Sequence, residues 1–289
     1  MTMKKNSYIP IVVLNDTSKE GHIGCVGVMA AYRKVLDDHG MRLVRTYTRN
    51  RIESNAKAVK EDIINLGAKL VIINGEGTFH RSGSIWYAFL RALPKKVPAV
   101  IVNTVWEKMF VVPSDLDRFS LIAVRENLSK DAILKLKSGA RVFTVPDMLF
   151  ACETKPAEIG YGDSVMAVVA RQLKKSDNFF PLNNFYNPDV VAYLMWLSRL
   201  RVYVTGRFHG VVLAALAGTP FLAIPSNSHK IEGLLKDMDC SELLLNSLDE
   251  VQDKIPLAVK SKGKVRKYCQ KAGGQIDKLG AKLRSLCSK

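Results

Sequence analysis

"VTGRFHGVVLAALAGTPFLAIP", residues Val204–Pro225, sets an arginine and a histidine directly ahead of one of the most apolar runs in the chain. One continuous strand cannot account for it, because Gly206 and then Gly218-Thr219-Pro220 punctuate the run. The stretch reads instead as a strand over Val202–Thr205, a tight turn at Gly206, a helix over Gly210–Ala217 and a second strand over Phe221–Ile224. Arg207 and His209 then lie where a strand ends and a helix begins. Ligands bind at such corners in α/β folds, since the free N–H groups and positive dipole end of the helix meet the carboxyl edge of the sheet.

The same alternation runs outward through the chain. Strands are predicted over Tyr8–Leu14, Met41–Thr46, Lys69–Ile73, Ala99–Thr104, Leu121–Val124 and Arg141–Val145. Between them lie helical patterns at Val26–Asp38, Ala56–Leu66, Ile85–Leu93, Pro113–Phe119 and Ser129–Lys137. Strand and helix alternating in this way predict an open, mostly parallel, doubly wound sheet. Glu153–Asp163, rich in Pro, Gly and charge, reads as a linker. A second α/β unit follows, with a strand at Ser164–Ala170, a helix at Pro188–Leu200, the Val204 corner and a helix at His229–Met238. The expectation is two doubly wound Rossmann-like domains, residues 1–152 and 164–250, followed by a helical tail over 251–289. A cleft between their carboxyl edges would form the binding site.

Composition narrows the class. The 289 residues are 47% hydrophobic, enough for two cores. The longest apolar run is interrupted and falls short of the roughly 20 residues a membrane-spanning helix needs. Tyr8–Leu14 ends at Asn15-Asp16 with no small-residue cleavage site, so it reads as a first strand and not a signal peptide. Five scattered cysteines without a C-x-x-C pair suit a reducing compartment, and the expected location is the cytoplasm. The net charge is +16, and residues 260–289 hold ten Lys or Arg against one Asp. Val265, Cys269, Ala272, Ile276, Leu279, Leu283 and Leu286 recur there at helical spacing. The tail is therefore read as an amphipathic packing helix with a basic outer face. That face could be solvated charge or could meet an anionic membrane surface, placing the protein peripherally at the inner leaflet. Nucleic acid is not expected, since no stacking or recognition-helix motif accompanies the charge.

Several corners could carry chemistry. Arg171 ends the Ser164–Ala170 strand, so it would join Arg207 and His209 at neighbouring strand ends; two guanidinium forks suit a small polyanion. Alternatively, Arg171 pairs with a surface acid such as Asp177. In Ser226-Asn227-Ser228-His229-Lys230, the Ser and Asn residues are good helix caps. Lys230, however, opposes the helix dipole unless an anion lies nearby. In Asn74-Gly75-Glu76-Gly77-Thr78-Phe79-His80, Gly75 and Gly77 would let backbone approach a ligand and hold Glu76 at the cleft as acceptor ligand or general base. Gly21-His22-Ile23-Gly24 fills a similar corner. No phosphate-binding loop fingerprint occurs. The five histidines never fall at i, i+4 with each other, so no metal site is expected. No organic cofactor is expected either.

Together these stretches resemble the polysaccharide pyruvyl transferase family. Residues 204–235 are similar to its closing signature, an Arg-x-His-Gly turn, an apolar helix, Gly-x-Pro into a strand, then a Lys opening the next helix. "VRENLSKDAILK" (124–135), "VFTVPDMLF" (142–150), "NGEGTFH" (74–80) and "HIGCVGVMAAYRKVL" (22–36) resemble further family segments. Cys25 stands where many members carry an Asp. The resemblance implies a two-domain, GT-B-like glycosyltransferase architecture and transfer of pyruvate from phosphoenolpyruvate onto two sugar hydroxyls, forming a ketal. The acceptor would be a glycan or lipid-linked sugar, a precursor of a cell-surface polysaccharide. It implies that Arg207 and His209 are the donor-site pair, with Arg171 as the second arginine, and Glu76 or Asp147 would orient or deprotonate the acceptor. With the corners read above, the expected site has catalytic His209 and Glu76; donor binding by Arg171, Arg207, Lys230, Gly210 and Ser226; and acceptor binding by Gly75, Gly77, His80 and Asp147. The competing reading is a GT-B glycosyltransferase using a nucleotide-activated sugar.

Overall fold

The computed structural model describes residues 8–77, 84–107, 111–152, 166–167 and 190–288. Six strands form one sheet: β1 (Ile9–Leu14), β2 (Met41–Tyr47), β3 (Leu70–Asn74), β4 (Ala99–Thr104), β5 (Leu121–Val124) and β6 (Val142–Thr144). Their order is β2-β1-β3-β4-β5-β6, with every pair parallel. All six predicted strands are present. Their near-continuous apolar sequence follows from burial on both faces. Ile11, Val13, Leu70, Ile72, Val100 and Val102 fill one face, while Val12, Leu14, Val71, Ile73, Ala99 and Ile101 fill the other.

Helices α1 (Ile23–Asp38), α2 (Arg49–Ser54), α3 (Ala56–Asn65), α4 (Ser84–Ala92) and α5 (Asn127–Leu134) connect the strands. The sequence reading missed α2, which is one short piece with a single buried residue, Ile52, and so carries almost no periodic signal. Asn55 caps α3 by accepting from the Ala58 amide at 2.9 Å. The cap of α5 is Glu126, whose carboxylate accepts from the Ser129 amide.

A second, smaller sheet has the parallel order β7 (Met166–Ala167), β8 (Tyr203–Thr205), β9 (Phe221–Ala223). Helices α6 (Val190–Leu197), α7 (Phe208–Ala217) and α8 (Lys230–Asp237) accompany it. Two expectations are corrected here. Helix α7 starts at Phe208 with Arg207 as its N-cap, so His209 lies inside the first turn and not ahead of it. Thr205 Oγ1 accepts from the Arg207 amide at 3.1 Å, which tightens the corner. The cap of α8 is His229, not Ser226, Asn227 or Ser228.

Helices α9 (Val251–Lys260) and α10 (Lys262–Leu286) form the tail. The predicted stripe is real: Val265, Ala272, Ile276, Leu279 and Leu283 are buried, with Cys269 and Leu286 partly buried beside them. They join one hydrophobic cluster that also contains α1, α7 and a face of each sheet. Tyr268 packs edge-on against Phe150, and Arg284 Nη1 donates to the carbonyls of His39 (3.3 Å) and Gly40 (2.9 Å). Helix α10 thus packs in the core that the small sheet shares with one face of the large one. Among the described residues, no helix is long and apolar enough to cross a membrane.

Leu279→Ala or Leu283→Ala should each lower stability by about 2–5 kcal/mol, because a buried cavity replaces a packed side chain. Lys267→Gln and Lys271→Gln, on the exposed face, should stay within about 0.5 kcal/mol. Urea denaturation midpoints measure both, and leucine variants that unfold with the parent would remove this packing role.

Candidate functional site

The strand order reverses at β1, with β2 on one side and β3 on the other, and in open α/β sheets such a switch point is where a ligand crevice forms. Two asparagines lock its floor. Asn15 Nδ2 donates to the carbonyls of Asn74 (2.7 Å) and Glu76 (3.2 Å), and Asn74 Nδ2 donates back to the Asn15 carbonyl at 3.1 Å. Asn15 holds φ 68°, a left-handed conformation that Asn tolerates better than most residues. Glu76 follows, buried, with Oε2 accepting from Thr17 Oγ1 at 2.5 Å. Gly75 must be glycine, because a Cβ there would lie 2.2 Å from Thr104 Cβ. Gly77 turns the chain at φ +64°.

The facing wall comes from the second unit. His209 Nε2 lies 3.3 Å from Glu76 Oε1 and 3.6 Å from Asp147 Oδ2. Its ring is laid on α1 at Gly24, where an added Cβ would come within 2.4 Å of His209 Cβ and Cγ. Asp147 is fully buried after β6 and accepts from Arg125 Nη1 (3.0 Å) and the Leu149 amide (2.9 Å). Burial alone would raise its pKa; His209, Arg125 and the Leu149 amide outweigh that and hold the carboxyl well below the usual range. The Arg125 guanidinium also stacks 4.3 Å above the Phe208 ring. Tyr32 on α1 is buried, and burial, with Asp147 and Glu76 adding to it, raises its phenol pKa well above the ordinary value. Arg207 Nη1 reaches His22 Nδ1 at 3.4 Å across the two units. An imidazole between two carboxylates, with an arginine beside it, can pass a proton and meet an anion.

A second polar contact joins the units at the next corner. His229 Nε2 lies 3.4 Å from Glu126 Oε1 and 3.3 Å from Ser129 Oγ, and Nδ1 lies 3.9 Å from Glu107 Oε1. The hydrogen bond to Glu126 raises the His229 pKa; burial opposes it, and Glu107 and Glu232 add to the rise. Gly233 makes room, since a Cβ there would meet Glu126 Oε2 at 2.6 Å.

The sequence model of polysaccharide pyruvyl transferases matches residues 27–228, which include Gly75 to Gly77, Asp147 and His209. The chain belongs to the polysaccharide pyruvyl transferase family. Membership makes it a transferase. Comparison with curated proteins finds no match. Among solved structures, a Listeria monocytogenes protein provisionally described as a UDP-N-acetylglucosamine 2-epimerase is similar at TM-score 0.63 and 12% identity, covering 96% of each chain. The Neisseria meningitidis UDP-GlcNAc 2-epimerase, bound to UDP-GlcNAc, gives 0.59 at 10% identity over 96% of this chain and 99% of that one. A Klebsiella pneumoniae protein of uncharacterised function gives 0.54 at 17% identity over 83% and 94%. At these identities the likeness is one of fold.

Of the residues singled out in the sequence, His209, Glu76, Asp147, Gly75, Gly77, Arg207 and Gly210 gather around this crevice or the corner that forms its wall. Gly210 packs on Thr205, whose Oγ1 would lie 2.6 Å from an added Cβ. Ser226 and Lys230 meet at Asn227 in the following turn, with Lys230 Nζ donating to Asn227 Oδ1 at 2.8 Å. Arg171 and His80 lie outside the described residues. Sequence reasoning missed Asn15, Thr17, Arg125 and Glu126. The asparagines closing the apolar strands β1 and β3 were the available signal for the crevice; for Arg125 and Glu126 it was the Arg-acid pair opening the 124–135 segment that resembles the family.

Arg125→Met should cost about 3–5 kcal/mol at neutral pH, because it leaves the buried Asp147 charge without its partner; chemical denaturation of the two proteins measures it. For His229 the folded pKa is raised, so its contribution is fully present below the unfolded value of about 6.5 and is lost as pH rises through the folded pKa. The thermal-stability gap between the parent and His229→Gln should therefore be widest near pH 6 and narrow at alkaline pH. A gap that widens with pH would contradict the assignment.

Proposed function

We propose that this protein transfers pyruvate from phosphoenolpyruvate onto two hydroxyls of a sugar in a surface-polysaccharide precursor, forming a ketal. The observation that carries the reading is His209 Nε2 held between Glu76 and Asp147 at 3.3 and 3.6 Å, within the region matched by the family. In this reading residues 1–152 are the acceptor side, residues 164–250 are the donor side, and the pair is arranged in the GT-B manner. Residues 251–289 are the helical tail, whose outward Lys and Arg side chains would face an anionic membrane surface at the cytoplasmic side.

The chemistry follows from charge and proton demand. Phosphoenolpyruvate carries a carboxylate and a phosphate, which Arg207, Arg171 and Lys230 would neutralise, with Gly210 and Ser226 lining the donor corner. His209 gives a proton to C3, turning the methylene into a methyl group and making C2 electrophilic. A sugar hydroxyl adds to C2 as Glu76 takes its proton. Phosphate leaves with the C2–O bond electrons, and the second hydroxyl closes the ketal. The two hydroxyl protons balance the one placed on C3 and the one leaving with phosphate. Asp147, held ionised by Arg125, fixes the imidazole on the acceptor side, and Gly75, Gly77 and His80 shape the acceptor pocket.

His209→Ala should lower turnover by at least about 10²-fold while leaving donor affinity within a few-fold, as loss of a proton-transfer group does. Acceptor-dependent phosphate release measures turnover. In deuterated water the ketal methyl should carry one deuterium for each pyruvate transferred. A thermal-shift comparison separates this from the competing glycosyltransferase reading, which the likeness in fold to a UDP-GlcNAc-bound structure favours. A donor at a hundred times its dissociation constant stabilises by about 2.7 kcal/mol. Stabilisation by sugar nucleotides and not by phosphoenolpyruvate would overturn the proposal.

A further inference from the structure

We propose that Cys25, Glu76 and His209 together form a binding site for one thiophilic divalent cation, of which Zn²⁺ is the representative. The Cys25 thiol, a Glu76 carboxylate oxygen and a His209 ring nitrogen all lie within 4.8 Å of one another. They come from three separate elements: the first turn of α1, the loop after β3 and the first turn of α7. Cys25 is 7% and Glu76 4% exposed, so the trio is not a chance group of surface acids. One sulfur, one imidazole nitrogen and one carboxylate oxygen form a donor set that suits Zn²⁺, with a fourth position left for water or another ligand.

One pair of the trio already stands at coordination spacing. Two N or O ligands about 2.0–2.2 Å from a shared tetrahedral ion stand roughly 3.4 Å apart. His209 Nε2 and Glu76 Oε1 stand 3.3 Å apart. The same nitrogen is buried and makes no well-aligned hydrogen bond, although two carboxylate oxygens lie within 3.6 Å. The supporting shell is also in place. Thr17 holds Glu76 Oε2 at 2.5 Å, Oε1 lies 3.3 Å from His209 Nε2, and Gly24 brings α1 against the His209 ring. A thiolate and a carboxylate would neutralise the dication, and binding would release the thiol proton.

Residues 25, 76 and 209 are too far apart in sequence for any ligand-spacing motif to reveal them, which is why the sequence argued against a metal. Binding has a functional consequence that rests on the proposed reaction: a cation on His209 Nε2 occupies the atom that would carry the proton. The two states of the site then exclude one another.

The test uses the full chain, reduced and stripped with a chelator, and Zn²⁺ alone as probe. Titration against a chromophoric chelator should show one tight site per chain. Cys25→Ala and His209→Ala should each weaken it by more than the 10–100-fold typical of losing a supporting partner, while Cys152→Ser leaves it unchanged. Co²⁺ in the parent should give a thiolate-to-metal absorption band that Cys25→Ser abolishes. Circular dichroism establishes that each variant is folded; were Cys25→Ala unfolded, the cobalt spectrum of the parent decides. Absence of a stoichiometric site, equal affinity in folded Cys25→Ala, or a cobalt complex without the thiolate band would each overturn the proposal. The readout is metal binding, so a failure of pyruvyl transfer leaves this result standing, and the reverse.

Discussion

Asp147 keeps a negative charge in a place with no access to water, and much of the site depends on how that charge is held. Removing a carboxylate from water costs several kcal/mol even after relaxation. Arg125 meets it directly, the Leu149 amide meets its other oxygen, and His209 approaches from the second unit. Arg125 follows β5, Asp147 follows β6 and His209 begins α7, so one buried charge ties three strand ends together. The stack of Arg125 on Phe208 places the guanidinium under the first turn of α7. The position of His209 is therefore set by packing and charge at once, with little freedom left to the side chain.

A second constraint acts at the sheet edge. The reversal of strand order at β1 opens a crevice, but an open crevice alone positions nothing. The reciprocal bonds between Asn15 and Asn74 close the gap between the ends of β1 and β3, and Glu76 is delivered to the crevice by that lock. Close approach at Gly24 and Gly75 then sets α1 and β4 at distances that no side chain would permit. The candidate chemistry sits where these short distances accumulate.

Two further contacts relate the small sheet to the large one. The His229–Glu126 pair joins α8 to the cap of α5, and its strength depends on the protonation of an imidazole. Helix α10 works differently, through an apolar stripe that shares the core of both units and ends on the carbonyls of His39 and Gly40. The first link is polar throughout; the second is mainly apolar, with the His39–Asp277 pair at 3.0 Å beside it.

What the sequence determined by itself was the periodic part of the structure. Strands buried on both faces must be apolar throughout, so β1, β3 and β4 announce themselves, and the stripe of α10 does so at helical spacing. The glycine-flanked Glu76 and the corner holding Arg207 and His209 were legible because strand-to-helix turns demand particular residues nearby in the chain. Tertiary structure alone decided the company those residues keep. Arg125 and Asp147 are 22 positions apart, His229 and Ser129 are 100 apart, and Cys25 reaches His209 only because Gly24 lets α1 touch α7. Local propensity acts over a few residues, whereas a through-space pair depends on strand register and on how two units dock. That information is spread over every contact in the core and is written in no single motif.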